Sequence, residues 1–216
     1  CFALSDIIMP QTINSIGAYA FQNCKSLTRI TLPSAISKIS KGTFIRCSSL
    51  QNIEIPSNVT TIDSLAFMNC DQLSSISFSS KLNSINQGAF AACSKLKSIT
   101  LPASLTFIGE QAFGACTSLE ALIIPSKVQT IGLGIVGKCT SLTSLTVDSN
   151  NPYFYSKSNG IVDKRINMLV QSCKVTEIPT EVVGIADYGF IFVSGREEII
   201  IPENVKSIGY DAFPDC

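Results

Sequence analysis

The chain has 216 residues, in which 16 lysines and arginines balance 16 acidic residues and no histidine occurs. The even charge removes the electrostatic footprint of a nucleic-acid or anionic-membrane binder, and no apolar run approaches the roughly 18 residues needed to cross a bilayer. Without histidine the commonest general base and every Ser-His or Cys-His nucleophile arrangement are missing. With no Gly-rich phosphate loop or metal-ligand spacing either, the sequence predicts no catalytic, cofactor or metal site.

The chain opens on CFALSDIIMP, which has no basic segment ahead of an apolar stretch and enters directly in repeat register. It reads as a fragment or mature portion, and because neither end shows a polar-faced capping repeat, further coils or a cap are expected outside these residues. Cysteines stand at 1, 24, 47, 70, 93, 116, 139, 173 and 216, so the first six intervals are all 23 residues. A fixed period of this size marks a repeat array. Counting Cys as position zero, Leu falls at +3, Ile or Leu at +6, an aliphatic at +8, Pro at +9, aliphatics at +12 and +15, and Phe at +20; the second unit shows Leu27, Ile30, Leu32, Pro33, Ile36, Ile39 and Phe44. Pro179 and Pro202 carry the frame past a long seventh unit, with Val193 at position zero and Cys173 at the +3 position of Leu. Nine coils follow, in one elongated domain over residues 1–216, each packing on its neighbours.

Within a coil, the +4 to +8 segment alternates, as in TRITL, NIEIP and SITLP, and predicts a half-buried strand closed by Pro. The aliphatics at +12 and +15 bury a second extended piece on the opposite side. Position +16 holds residues suited to a helix N-cap or a left-handed turn, among them Gly17, Ser40, Asp63 and Asn86. A one- to two-turn helix is expected next, as in EQAFGAC, its Phe and Cys facing inward three residues apart. The seventh unit carries an insertion at about 148–165, in which Asn159-Gly160 reads as a hairpin turn.

The cysteine is predicted to be a small buried spacer at the corner between helix and next strand. Disulfides are the alternative, since stacked coils rise by about 4.8 Å. Equivalent positions project in parallel, however, which leaves Cβ atoms near 4.8 Å apart instead of about 3.8 Å. Metal ligation lacks both a CxxC pair and a histidine.

Cys-x-x-Leu-x-x-Ile-x-Leu-Pro followed by Ile-Gly and Ala-Phe-x-x-Cys resembles the BspA-like leucine-rich repeat over essentially the whole chain. Cys93, Leu96, Ile99, Leu101, Pro102, Leu105, Ile108, Gly109, Ala112, Phe113 and Cys116 supply every position in one coil. The insertion resembles a longer variant unit of these arrays. Departures are Val136 for Phe, Val193 for Cys, and Ser79 for Pro, the last freeing its strand to run on. The resemblance implies a right-handed solenoid with parallel strands on one face. The expected fold is thus an α/β repeat solenoid, a leucine-rich-repeat array of about nine 23-residue coils with short helices or turns opposite a parallel β-sheet. Members occur in surface proteins of oral and gut bacteria and of parasitic protists such as trichomonads and are associated with adhesion, so binding without chemistry is implied, at the cell surface or outside the cell. An intracellular scaffold is the alternative location, since buried thiols tolerate either compartment.

The candidate partner-binding residues are the outward ones at +4, +5 and +7: Thr28, Arg29, Thr31, Gln51, Asn52, Glu54, Lys97, Ser98, Thr100, Glu120, Ala121 and Ile123, together with the inserted Tyr153 and Tyr155. The expected ligand is a protein or a glycan, such as host matrix or cell surface; nucleic acid and membrane insertion are not expected. Against this stands a spacer array with no ligand of its own, because Ser and Thr on a strand face also serve only to solvate it, and aromatic or arginine residues, which carry most interface energy, are reduced there to Arg29. Phe154 is expected to plug the core opened by the insertion. Asn58-Val59-Thr60 forms an N-glycosylation triplet.

Overall fold

Residues 2–191, 193 and 196–214 are described by a computed structural model; Cys1 and Cys216 lie outside them. The inward set is as the repeat frame places it. Leu27, Ile36, Phe44, Leu50, Val59, Ile62 and Phe67 are fully buried in a core that runs from the first coils to the inserted segment. The chain winds as a β-solenoid in which residues 23 apart stack on one another.

The longest ladder is not at the first strand position. It is formed by the short pieces at +14 and +15, where Lys38–Ile39, Thr61–Ile62, Ser84–Ile85, Phe107–Ile108 and Thr130–Ile131 pair in parallel as one five-stranded sheet. Among the described residues the +4 to +8 strands form two parallel pairs, Asn52–Glu54 with Ser75–Ser77 and Ala121–Ile124 with Ser144–Val147, and an isolated parallel bridge joins Ser98 to Ala121. Counting Gly184–Ile185 and Ser207–Ile208, the +14/+15 strand occurs seven times among the described residues, not nine. Residues 15 and 16 of the first coil form none, and a hairpin replaces it in the seventh.

The expected helix is absent among the described residues, and the backbone says why. Positions +18 and +22 are left-handed in coil after coil, with positive φ at Tyr19, Asn23, Gly42, Arg46, Leu65, Asn69, Gly88, Ala92, Gln111 and Ala115. Each such residue breaks the right-handed run a helix needs. Alternate N–H groups therefore point along the stack and bond to the next coil, as Phe44 N to Ala66 O at 2.8 Å and Phe67 N to Ala89 O at 2.7 Å. The intervening ones close three-residue turns, as Cys70 N to Phe67 O at 3.1 Å. Position +16 is not the left-handed one. At Gly109 and Gly132 the need is for the missing Cβ, which would lie 2.5 Å from Gln87 N and 2.3 Å from Glu110 N of the preceding coil.

Position +18 alternates between a bulky residue and glycine: Tyr19, Gly42, Leu65, Gly88, Gln111, Gly134. The Tyr19 ring lies over Gly42, and Leu65 over Gly88, where an added Cβ would come within 2.4 and 2.9 Å respectively. The true repeat along this side is thus two coils.

Phe at +20 stacks continuously from Phe21 through Phe44, Phe67 and Phe90 to Phe113, with ring centroids 5.2 to 5.7 Å apart and interplanar angles of 5° to 11°. It stops at Val136 and resumes as Phe190 on Phe213 at 5.0 Å. The inserted segment occupies that break. Phe154–Lys157 and Gly160–Asp163 pair antiparallel, and Gly160–Asp163 pairs in turn with Met168–Gln171. Ile161 belongs to the first core and Val162 to a second, smaller one. The turn is one residue earlier than expected: Ser158 and Asn159 have positive φ, whereas Gly160 is already in the strand, opposite Lys157. Its missing side chain is required by Leu169, whose Cδ1 would lie 2.6 Å from a Cβ there.

Ser79 does not let its strand run on, for Ser75–Ser77 ends two residues before it. Its carbonyl accepts from Leu82 N at 3.1 Å, as Pro56 does from Val59 N at 3.0 Å, and its hydroxyl donates to Ser57 O at 2.9 Å. The hydroxyl satisfies a carbonyl, so serine closes the turn as proline does.

Candidate protein-interaction surface

The strand alternation turns Leu27, Ile30 and Leu32 inward and leaves Thr28, Arg29 and Thr31 exposed, and the same holds for Gln51, Asn52 and Glu54 in the next coil. Lys97, Ser98, Thr100, Glu120, Ala121 and Ile123 are exposed as well. Arg29, Thr31, Asn52 and Glu54 come together in a cleft of about 830 Å³. Its other wall is the N-terminal segment Asp6, Ile7, Ile8 and Met9, and Ile30, Leu32 and Ile53 contribute to its floor. Gln51 and Lys97 meet elsewhere, with Gln72, Ser74 and Lys95, around a shallow hollow of about 320 Å³. Thr28, Ser98, Thr100, Glu120, Ala121 and Ile123 line neither.

The cleft exists because the coils part on this side. Between the third and fourth coils the first strand position is a regular ladder, ending with Ile55 N donating to Ser77 O at 2.9 Å. Between the second and third a single bond is made, Gln51 N to Thr28 O at 3.1 Å. On the turn side the same coils are clamped, with Gly42 N to Ser64 O at 2.9 Å, Phe44 N to Ala66 O at 2.8 Å and Arg46 N to Met68 O at 2.7 Å. Asp6, Arg29 and Glu54 take part in no ion pair among the described residues. The sequence frame identified the outward residues, but neither the opening nor the Asp6–Met9 wall, since both depend on pairing that fails between coils. Ile8 is 92% exposed, and an aliphatic left outside the core at +7 was the one local signal.

The inserted aromatics occupy a different place. Phe154 is buried at 2% exposure. Tyr153 is half-buried against the first core and Tyr155 against the second. The Arg165 guanidinium lies 5.6 Å from the Tyr153 ring centre and 5.2 Å from that of Phe154, within cation–π reach. Asp163, buried beneath it, accepts from Arg165 Nε at 2.9 Å, and these charge-assisted bonds hold its carboxyl below the usual carboxylate range against the opposing effect of burial. Asn151 pins the insertion at its start: its amide donates to Pro125 O and Val128 O at 2.9 and 3.0 Å, and its carbonyl accepts from Tyr153 N and Phe154 N.

All seven described cysteines are buried and unpaired. They do more than fill space. Cys47, Cys70, Cys93, Cys116 and Cys139 each donate the thiol to the carbonyl of the +20 Phe that stands 26 residues earlier, two coils back in the repeat frame, at 3.0 to 3.3 Å. Burial pushes the Cys47 thiol from its ordinary 9.0 up to about 12, with the neighbouring Cys24 adding to the shift, and raises Cys70 and Cys93 likewise.

Stacked 23-residue coils with leucine at +3 and a side of exposed alternate residues define a leucine-rich-repeat solenoid. The family model of the BspA type leucine-rich repeat region matches residues 1–120, 60–160 and 165–216, in six copies, and the chain belongs to this family. Among solved structures, a leucine-rich repeat protein from Eubacterium ventriosum is similar at a TM-score of 0.77 and 24% identity, over 87% of this chain and 51% of its own. A leucine rich cell surface protein from Faecalibacterium prausnitzii aligns at 0.68 and 26%, over 97% of this chain and 65% of its own. The pneumococcal vaccine antigen PcpA aligns at 0.59 and 25%, over 96% and 48% respectively. The chain thus spans about half to two thirds of the length of these structures. A comparison with curated proteins gave no match. Among the described residues no helix is long and apolar enough to cross a membrane.

Proposed function

We propose that the chain is a non-catalytic binding module, a protein-interaction array working in adhesion at the cell surface. The observation that carries this reading is the cleft on the first strand side, where Arg29, Thr31, Asn52 and Glu54 are exposed and free of core duty. The similarity to a cell surface protein and to a vaccine antigen supports the location. The ligand is a protein, or a glycan of a host matrix or cell surface. The test is to probe arrays of matrix proteins and glycans with the purified chain and with Arg29→Ser/Glu54→Ser. Capture that weakens about tenfold in the variant at unchanged melting temperature supports the module; capture indifferent to the variant removes this surface from the reading.

The second reading, a spacer without a ligand of its own, is favoured by the packing of Tyr153 and Tyr155 against the two cores. It predicts that Tyr153→Ser/Tyr155→Ser lowers the melting temperature and that neither array captures the chain.

A further inference from the structure

We propose that the cleft between the first three coils takes up an extended segment of a protein partner as an added strand, paired through main-chain hydrogen bonds. The inference rests on the protein-binding reading above and names the partner's form. Among the described residues, no hydrogen bond reaches the main chain of Arg29, Ile30, Thr31 or Leu32, although Ile30 and Leu32 are only 8% and 6% exposed. Main-chain donors and acceptors on buried residues are nearly always paired. On the far wall, Asn52–Glu54 is paired with Ser75–Ser77 along one edge only. Extended backbone with free polar groups on both sides of one opening is complementary to another extended backbone, which is how peptides add to sheet edges. A sugar ring does not present that regular row of donors and acceptors.

The side chains set the character of the segment. Successive residues of an extended chain face opposite ways, so one set meets the apolar floor of Ile30, Leu32 and Ile53 and the other meets the rim. Asp6 and Glu54 supply carboxylates to the rim and Arg29 a guanidinium, none of them in an ion pair among the described residues. The partner segment is therefore alternately apolar and polar, with charges of both signs outward and no proline at the pairing positions. Ile8, 92% exposed beside the opening, supplies an apolar contact at its edge.

The experiment is selection of a displayed library of random short peptides on the full chain, followed by titration of synthetic copies of the selected sequences. The expected result is an alternating, proline-poor set. Its binding weakens by about tenfold or more when alternate peptide nitrogens are methylated, and by a similar factor in Ile8→Asp and Arg29→Glu, both exposed positions that leave the melting temperature unchanged. Selection of no peptide, or of peptides that tolerate methylation or both substitutions, overturns the proposal, as does closure of the cleft by a second copy in sedimentation. If matrix proteins or glycans bind the array while no peptide does, the strand-addition proposal falls and the binding-module reading stands.

Discussion

At the scale of single residues, the repeating cysteine is a hydrogen-bond donor as well as a spacer. The Phe67 carbonyl accepts the Cys70 amide at 3.1 Å and the Cys93 thiol of the next coil at 3.3 Å, so both its lone pairs are used. Cys93→Ala removes the donor and leaves a small void, and should cost about 1 to 2 kcal/mol in a denaturant melt. Cys93→Ser keeps a donor and should recover part of that loss; equal losses would reduce the thiol to filler. The raised thiols also couple stability to pH. Unfolded, they ionise near 9, whereas the folded Cys47 holds its proton to about 12. Below 9 both states are protonated and the stabilisation is complete; as pH climbs toward 12 only the unfolded state sheds protons. Stability should thus fall above pH 9, by up to about 1.4 kcal/mol per pH unit for each such thiol. A melting temperature level from pH 8 to pH 11 would contradict the burial assigned to them. Burial of these cysteines was legible from their period alone, but their acceptors were not, because each lies 26 residues away in another coil.

At the scale of elements, the turn segment shows how three glycines serve different ends. Gly17 has nothing within 4 Å of an added Cβ, Gly88 has a φ of +59°, and Gly132 sits 2.3 Å from the Glu110 backbone nitrogen. Substitution by Ala should therefore be near neutral at Gly17, cost about 1 to 2 kcal/mol at Gly88 from the left-handed backbone, and cost most at Gly132, where backbone must move. Thermal melts of the three variants test the order, and an equal cost at Gly17 and Gly132 would refute it. The sequence misled here because EQAFGAC carries good helix formers with Phe and Cys at helical spacing. The competing effect, capture of alternate N–H groups by the next coil, is non-local. Its trace was the alternation of glycine with Tyr19, Leu65 and Gln111 at +18, and asparagine, which tolerates positive φ, at Asn23 and Asn69.

The insertion follows the same logic at its join. Asn151 is 1% exposed and makes four bonds to main-chain groups. Asn151→Ala leaves those groups without partners and should destabilise by at least about 3 kcal/mol. Asn151→Asp should not rescue it, since two carbonyls face the amide. A loss under about 1 kcal/mol would show that the insertion is not pinned there. The hairpin itself was legible from its turn residues. Its one-residue shift was not, because Gly160 is set by packing under Leu169 and not by its own φ.

Across the whole molecule, the frame of inward residues was readable through most of the coils, where the same positions recur in the core, although Ile201 and Ile208 of the last coil are exposed. How the coils are joined was not: the continuous ladder runs along +14 and +15, and the first strand position, expected to carry the sheet, is open between the second and third coils. A solenoid clamped on one side and open on the other presents a cleft without a break in its core, and the binding reading depends on that asymmetry. Residue-resolved amide hydrogen exchange tests it most directly. The amides of Gly42, Phe44, Arg46, Leu65 and Phe67, which bond from coil to coil, should exchange slowly, and those of Ile30, Thr31 and Leu32 at near the rate of open chain. Protection of residues 30–32 equal to that of Phe44 and Phe67 would mean that the coils are paired on both sides and that the cleft is closed.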